Sequence, residues 1–311
     1  MAAKEQCVAL DGVTRTFGRV TALAQLSFSV TRGGVTVLLG PNGAGKTTAL
    51  RMITGALSAE AGSVRVFDLD PAIDGETIRQ RAGVVPATPE FYDRLTGREN
   101  LRFAAEIYSL GPRAPIDASA ERFGIAAALG DVVGGYSTGM KARLALARAI
   151  LHDPELLLMD EPTSGLDPES AHAVLALIDQ MADEGKTVVM STHLLLEAEG
   201  LADQVVVMDA GRDLVSGEPS ELIGRYWPTA SVFIDAEDRT SLRDVAELDG
   251  VLSVEVNGGP VNVSLDDMKR IPDLVATLAA RGVRLTRVVP HEPSLEELYF
   301  TVRKLEREPR P

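Results

Sequence analysis

The sequence predicts an α/β fold on a mainly parallel sheet, with a β-rich beginning, a helical insertion and a small α+β unit at the end. Three observations lead there. The runs VTVLL (residues 35–39), LLLM (156–159) and TVVMS (187–191) are nearly unbroken in apolar character, as in strands covered on both faces. Helical periodicity precedes the second and third runs, giving a βα alternation and hence a parallel sheet. After residue 225 the chain changes to short strands and helices in the order βαββαβ, that of a ferredoxin-like unit.

In chain order, VAL (8–10) and LSFSV (26–30) read as edge and sheet strands, with turns at Asp11-Gly12 and Arg32-Gly33-Gly34. The buried strand 35–39 follows, then a glycine-rich turn and a helix. Residues 91–128 read as a helical subdomain, from ENLRFAAEIYSL and a second segment around SAERFGIAAAL. In the last part, strands are expected at 231–235, 252–256, 261–265 and 283–288, and helices at 241–248 and 271–280. SLEELYFTVRKL predicts a final helix capped by Ser294, with Glu297 completing a capping box. EREPRP beyond it is expected to be disordered. The domain boundary is placed near residues 226–229, dividing the chain into residues 1–225 and 226–311.

The 311 residues leave room for two domains, and 45% hydrophobic with 24% charged residues suits a chain that buries a core. A net charge of −14 argues against a general nucleic-acid binder, which carries a basic face. Cys7, the one cysteine, has no internal disulfide partner, which fits a reducing compartment. MAAKEQCVAL lacks the apolar core of a signal peptide. No apolar run approaches the roughly 18 residues that span a bilayer, so membrane association is expected through a partner.

The chemistry concentrates at GPNGAGKT, Gly40 to Thr47, which matches G-x-x-x-x-G-K-[ST] between a buried strand and a helix. Backbone N–H groups of residues 43–47 suit a phosphate at a helix N-terminus. The residues expected to hold the nucleotide are Gly40, Asn42, Gly43, Ala44, Gly45, Lys46, Thr47 and Thr48. Lys46 supplies a cation to the β- and γ-phosphates, and the Thr47 hydroxyl is placed for Mg²⁺. Asp160 and Glu161 end the strand LLLM at the edge where ligands bind in parallel sheets. Asp160 suits a metal ligand and Glu161 a general base. Alone, two acids there fit a solvated turn equally well.

With these motifs, residues 5–225 resemble the ATP-binding cassette (ABC) ATPases. The resemblance is carried by TFG with Phe17, YSTGM, MDEPTSGLD and STH, in that order. It implies a P-loop ABC-type nucleotide-binding domain with an antiparallel β subdomain and an α-helical subdomain, an enzyme hydrolysing ATP with Mg²⁺. It further implies that Phe17 stacks on adenine, that His193 contacts the γ-phosphate, and that Asp167 belongs to the D-loop. YSTGM takes the place of the family signature. In the family two cassettes meet head to tail, so Ser137 and Gly139 would bind the γ-phosphate of the neighbour's ATP. Asp167-Pro168 also reads as an ordinary helix start.

The chain departs from the family pattern at Ala87, where a glutamine usually reaches Mg²⁺ and the attacking water. Thr88 and Glu90 are the nearby polar residues. In the signature, Thr138 and Met140 replace a glycine and a glutamine. An active but slower ATPase is expected. FYDRLTGRENL and PSLEELYFTVRKL resemble the ATPase subunits of type-2 exporters, which serve a separate membrane permease. That implies a protein held peripherally at the cytoplasmic face of the membrane, paired with a second copy or a paralogous ATPase. The permease groove would lie around residues 91–108. Two alternatives stay open: a soluble ABC ATPase not coupled to transport, and a slow cassette that regulates by binding ATP.

Overall fold

The computed structural model describes residues 5–256 and 259–307. Residues 308–311, within the stretch expected to be disordered, lie outside the described residues. By internal contacts the chain divides into residues 1–219 with 301–311, and residues 220–300.

The first unit begins with a long antiparallel pair, β1 (Gln6–Phe17) and β2 (Val20–Thr31). With β4 (Ala61–Val66) they form a sheet of order β2-β1-β4. So the segment read as an edge strand is central. Gly12 marks no turn: it lies inside β1 at φ +58, where the register with both neighbours shifts. A glycine signal in a strand has two meanings, a turn or a bulge, and only the cross-strand partner separates them. The β4 strand passes so close that a Cβ on Gly62 would meet the Gly12 carbonyl at 2.4 Å.

The main sheet has six strands in the order β5-β6-β7-β3-β8-β9. Its members are β3 (Gly34–Leu39), β5 (Ala82–Val85), β6 (Leu156–Asp160), β7 (Thr187–Thr192), β8 (Gln204–Asp209) and β9 (Arg212–Gly217). All pairs are parallel except β8 with β9. The central strands are buried on both faces, which accounts for their unalternating apolar sequence. Helix α1 (Lys46–Ile53) leaves β3 directly through the glycine-rich loop. Cys7 is buried in the core of this unit, and that burial pushes its thiol up to about 11.

Helix α2 (Pro71–Arg81), absent from the sequence reading, starts at an Asp70 cap with proline in its first turn. It has a non-helical residue at Asp74 and little amphipathic pattern, so periodicity gave no signal. The helical subdomain comprises α3 (Gly97–Ile107), α4 (Ile116–Arg122) and α5 (Thr138–Ala149). A Thr96–Glu99 capping box starts α3, and the Ser137 side chain caps α5. Further helices are α6 (Pro168–Asp183), α7 (Leu195–Glu199) and α8 (Pro219–Tyr226).

The second unit contains β10 (Ala230–Ala236), β11 (Val251–Glu255), β12 (Val261–Leu265), α9 (Ile271–Ala280) and β13 (Leu285–His291). The antiparallel order β11-β12-β10-β13 is the strand arrangement of a ferredoxin-like unit. Val232, Ile234, Val263, Leu274 and Leu278 form its core. The helix expected at 241–248 is instead a 3₁₀ run, Arg239–Glu247. Asp238 accepts from both the N–H and the hydroxyl of Thr240, and Ser241 donates to the Asp238 carbonyl at 2.6 Å. Such local bonds compete with i→i+4 pairing. The last helix, α10 (Leu295–Arg307), has the expected box: Glu297 N–H donates to Ser294 Oγ and Ser294 N–H to Glu297 Oε2.

Among the described residues, no helix is long and apolar enough to cross a membrane.

Candidate functional site

The loop between β3 and α1 curls around a cavity of about 410 Å³ lined by Val20–Ala22, Asn42–Thr48 and Glu161. Gly43 and Gly45 hold φ of +83 and +102, which side chains disfavour. At Gly45 space is short as well, since a Cβ would meet the Ala22 carbonyl at 2.6 Å. Within the bend the Ala44 N–H donates to the Pro41 carbonyl at 3.1 Å, and a glycine-rich loop that runs into a helix start suits an anion.

Lys46 is 5% exposed, and its ammonium donates to the carbonyls of Gly40 at 2.7 Å and Pro41 at 3.2 Å. Burial lowers its pKa below the usual lysine value, while Glu161 and then Asp160 pull it back up. The Glu161 Oε1 atom is 3.6 Å from Lys46 Nζ and 3.2 Å from His193 Nδ1. The structure therefore brings together a cation at the start of α1 with a carboxylate and an imidazole that follow β6 and β7.

Glu161 adopts φ +48, a left-handed conformation that costs a non-glycine residue about 1–2 kcal/mol. Its N–H donates to the carbonyl of Ser191 at 3.0 Å and is also within 3.1 Å of its hydroxyl. The same hydroxyl donates to Asp160 Oδ1 at 2.6 Å. Ser191 is fully buried at the end of β7, so it orients both acids at once. Sequence reasoning gave it no role. The available signal was a hydroxyl residue closing a run that is otherwise apolar.

Thr47 and Asp160 line another cavity, of about 420 Å³, with Pro86, Ala87, Thr88 and Glu90. Ser191 engages one carboxylate oxygen of Asp160, and Thr47 lines the same space. One hydroxyl and one carboxylate suit Mg²⁺, which is usually held by few protein oxygens together with phosphates and waters. A third cavity, of about 400 Å³, joins Pro86–Pro89 to Glu161 and to Tyr136, Thr138 and Lys141. Ala87 thus walls both spaces with a methyl group.

Ser137 is exposed, and its Oγ accepts from Met140 N–H at 3.2 Å. Gly139 is the second residue of α5, where a Cβ would meet Ser170 Oγ at 3.1 Å. Asp167 caps α6, accepting from Ser170 N–H at 2.9 Å and from its hydroxyl at 2.7 Å. These three residues do not line the cavity around the phosphate loop. Phe17 is not among that cavity's walls either. It ends β1, paired with Val20, 44% exposed, with the Arg15 guanidinium 5.1 Å from its ring.

On the helical subdomain a groove of about 460 Å³ runs between Tyr92, Phe103, Ile107, Tyr108 and Arg148. Tyr92, Phe103 and Ile107 are exposed there, whereas Phe91 is half-buried with the Arg148 guanidinium 4.7 Å from its ring. Buried Asn100 fixes the wall: it accepts from Tyr92 N–H at 2.9 Å and donates to the carbonyls of Tyr92 and Thr96.

In sequence and in fold the chain is similar to known proteins. The family described as "ABC transporter" matches residues 23–164, and one described as "AAA domain, putative AbiEii toxin, Type IV TA system" matches residues 130–199. The chain is 34% identical over 305 residues to the "Uncharacterized ABC transporter ATP-binding protein YdbJ" of Bacillus subtilis, covering 95% of each chain. It is 35% identical to the "Nod factor export ATP-binding protein I" of Bradyrhizobium diazoefficiens, covering 96% of this chain and 97% of that one. It is 32% identical to the "Daunorubicin resistance ATP-binding protein DrrA3" of Streptomyces coeruleorubidus, covering 95% of each. A solved structure described as "ATP binding subunit of ABC transporter" superposes with a TM-score of 0.65 at 29% identity, covering 71% of this chain and 93% of that one.

Proposed function

The chain belongs to the family of ABC transporter ATP-binding proteins, an ATP-binding ATPase coupled to transport, and from that premise we propose the following working arrangement. It powers an exporter whose permease is a separate membrane protein, and two cassettes close around two ATP molecules. Export is supported by the printed roles of relatives aligned over nearly the whole chain, Nod factor export and daunorubicin resistance. The second cassette is another copy or a paralogous ATPase. The permease holds the protein at the cytoplasmic face of the membrane.

One observation carries the catalytic reading: Glu161 is fixed in a disfavoured backbone conformation by Ser191, its carboxylate between Lys46 and His193. In this reading the phosphate-loop N–H groups and Lys46 hold the β- and γ-phosphates. Thr47 and Asp160 would hold Mg²⁺, which supplies charge neutralisation on the phosphate oxygens. Glu161 accepts the proton of the attacking water, His193 steadies the γ-phosphate, and Phe17 stacks on the adenine. Ser137, Gly139 and Asp167 serve the neighbour's nucleotide, which fits their place outside their own chain's phosphate-loop cavity. Ala87 offers neither metal ligand nor hydrogen bond, so basal turnover is slow.

The test is Glu161→Gln in the full chain. Binding of ATP is expected to persist, turnover to fall by roughly a hundredfold or more, and an ATP-dependent dimer to accumulate in light scattering. Turnover equal to the parent's would remove Glu161 from the base role. A variant that stays monomeric at saturating Mg-ATP, even with its permease, would remove the closed pair.

A further inference from the structure

Behind the phosphate loop lies a two-residue turn that joins β8 to β9. Asp209 and Arg212 pair across it, and its central residues Ala210 and Gly211 have φ of +48 and +80, as type I′ hairpins require. Gly211 is wedged between two elements. Its N–H donates to the Ala44 carbonyl at 3.0 Å, and its own carbonyl accepts from Ala24 N–H of β2 at 2.8 Å. A Cβ on Gly211 would meet the Ala22 carbonyl at 2.7 Å, so nothing larger fits there.

The Ala44 carbonyl belongs to the same planar peptide as the Gly45 N–H, and in a trans peptide the two point in opposite directions. Holding that carbonyl from behind therefore aims the Gly45 N–H forward, among the N–H groups that face the phosphate. The turn is in its turn held from the side. At the far end of the chain Arg303 of α10 donates through Nε to Asp209 Oδ2 at 3.0 Å. Both side chains are largely withdrawn from solvent, 20% and 23% exposed, which places the pair between a buried ion pair and a surface one. Residues from 301 onward belong to the same compact unit as the phosphate loop.

We infer that Arg303 is a positioning residue for the phosphate loop, acting through Asp209 and the Gly211–Ala44 hydrogen bond on the aim of the Gly45 N–H. The inference rests on the nucleotide reading of that loop. It gives the last helix a part in nucleotide affinity although none of its residues lines the phosphate-loop cavity. Asp209 and Arg303 each make further interactions, so the coupling is partial.

The experiment measures the dissociation constant of Mg-ATP by calorimetry on full-length chains, together with the thermal unfolding midpoint without nucleotide. Lys46→Ala serves as a control: if parent and control bind alike, the nucleotide reading itself fails, whatever Arg303 does. Arg303→Ala is expected to weaken Mg-ATP binding by roughly two- to thirtyfold, the span typical of indirect coupling. Asp209→Asn, nearly isosteric, is expected to weaken it comparably. The double variant should be no weaker than the worse single one, because both break one link. Arg303→Lys should recover much of the affinity. Parent-like affinity in both single variants overturns the inference, as do losses that add in the double variant. A lowered midpoint with unchanged affinity overturns it too, since that outcome marks a purely structural ion pair. Should Arg303→Ala not fold, Asp209→Asn and Arg303→Lys decide alone.

Discussion

Ser191 shows how much one hydroxyl organises at this site. It donates to Asp160 and meets the N–H of Glu161, so the proposed metal ligand and the proposed base share one support. Removing it takes away the Asp160 carboxylate's hydrogen bond from Ser191, and hydrogen bonds to charged groups contribute about 1.5–3 kcal/mol. Ser191→Ala is therefore expected to lower kcat by roughly tenfold or more. KM for ATP should change much less, because the phosphate loop is untouched. Steady-state kinetics across ATP concentration separates the two. An unaltered kcat would reduce Ser191 to a strand-end packing residue.

Among the elements, α3 and β5 are joined through His152 in a way the sequence did not announce. The imidazole stacks on Tyr108 at the end of α3, with ring centroids 3.7 Å apart and planes 6° from parallel. Its Nε2 faces the carbonyl of Ala82 in β5 at 3.2 Å. Burial holds the pKa of His152 below the ordinary histidine value, against the pull of the Ala82 carbonyl. In the unfolded chain the imidazole takes up its proton near about pH 6.5. The stability owed to the neutral buried ring is thus present above that pH and is lost as pH falls toward the depressed folded value. Urea unfolding at a series of pH values is expected to show a steeper acid loss for the parent than for His152→Gln. Equal slopes would show that His152 does not set this acid sensitivity.

For the whole molecule, α5 ties the two proposed interfaces together. Its N-terminal cap is Ser137 of the signature, and Arg148 near its other end braces the groove by donating to the Glu90 carbonyl at 2.9 Å. A permease segment docked in that groove would act on a helix whose far end faces the second cassette. Phe103→Asp or Ile107→Asp, both at exposed groove positions, is expected to leave the isolated ATPase near parent activity. Stimulation by the copurified permease should require roughly thirtyfold more permease, as for loss of an interface hot spot. Full stimulation in both variants would move the permease surface elsewhere.

Local chemistry was legible wherever one short segment carries the whole requirement. The glycine loop before Lys46, the acids closing a buried strand, the Ser294–Glu297 box and the four strands of the last unit needed only neighbouring residues to be read. By itself the sequence thus determined the α/β class, the family and the position of the phosphate loop. Tertiary structure alone decided what depends on a distant partner. Gly12 became a bulge because β2 and β4 lie on either side of β1. Ser191 and Glu161, thirty residues apart, met because β6 and β7 are neighbours. Arg303 and Asp209, ninety-four apart, met across most of the last third of the chain. Hydrogen bonds and ion pairs act over a few ångströms of space, whatever the separation along the chain, and a pattern of residue types records only the second of these distances.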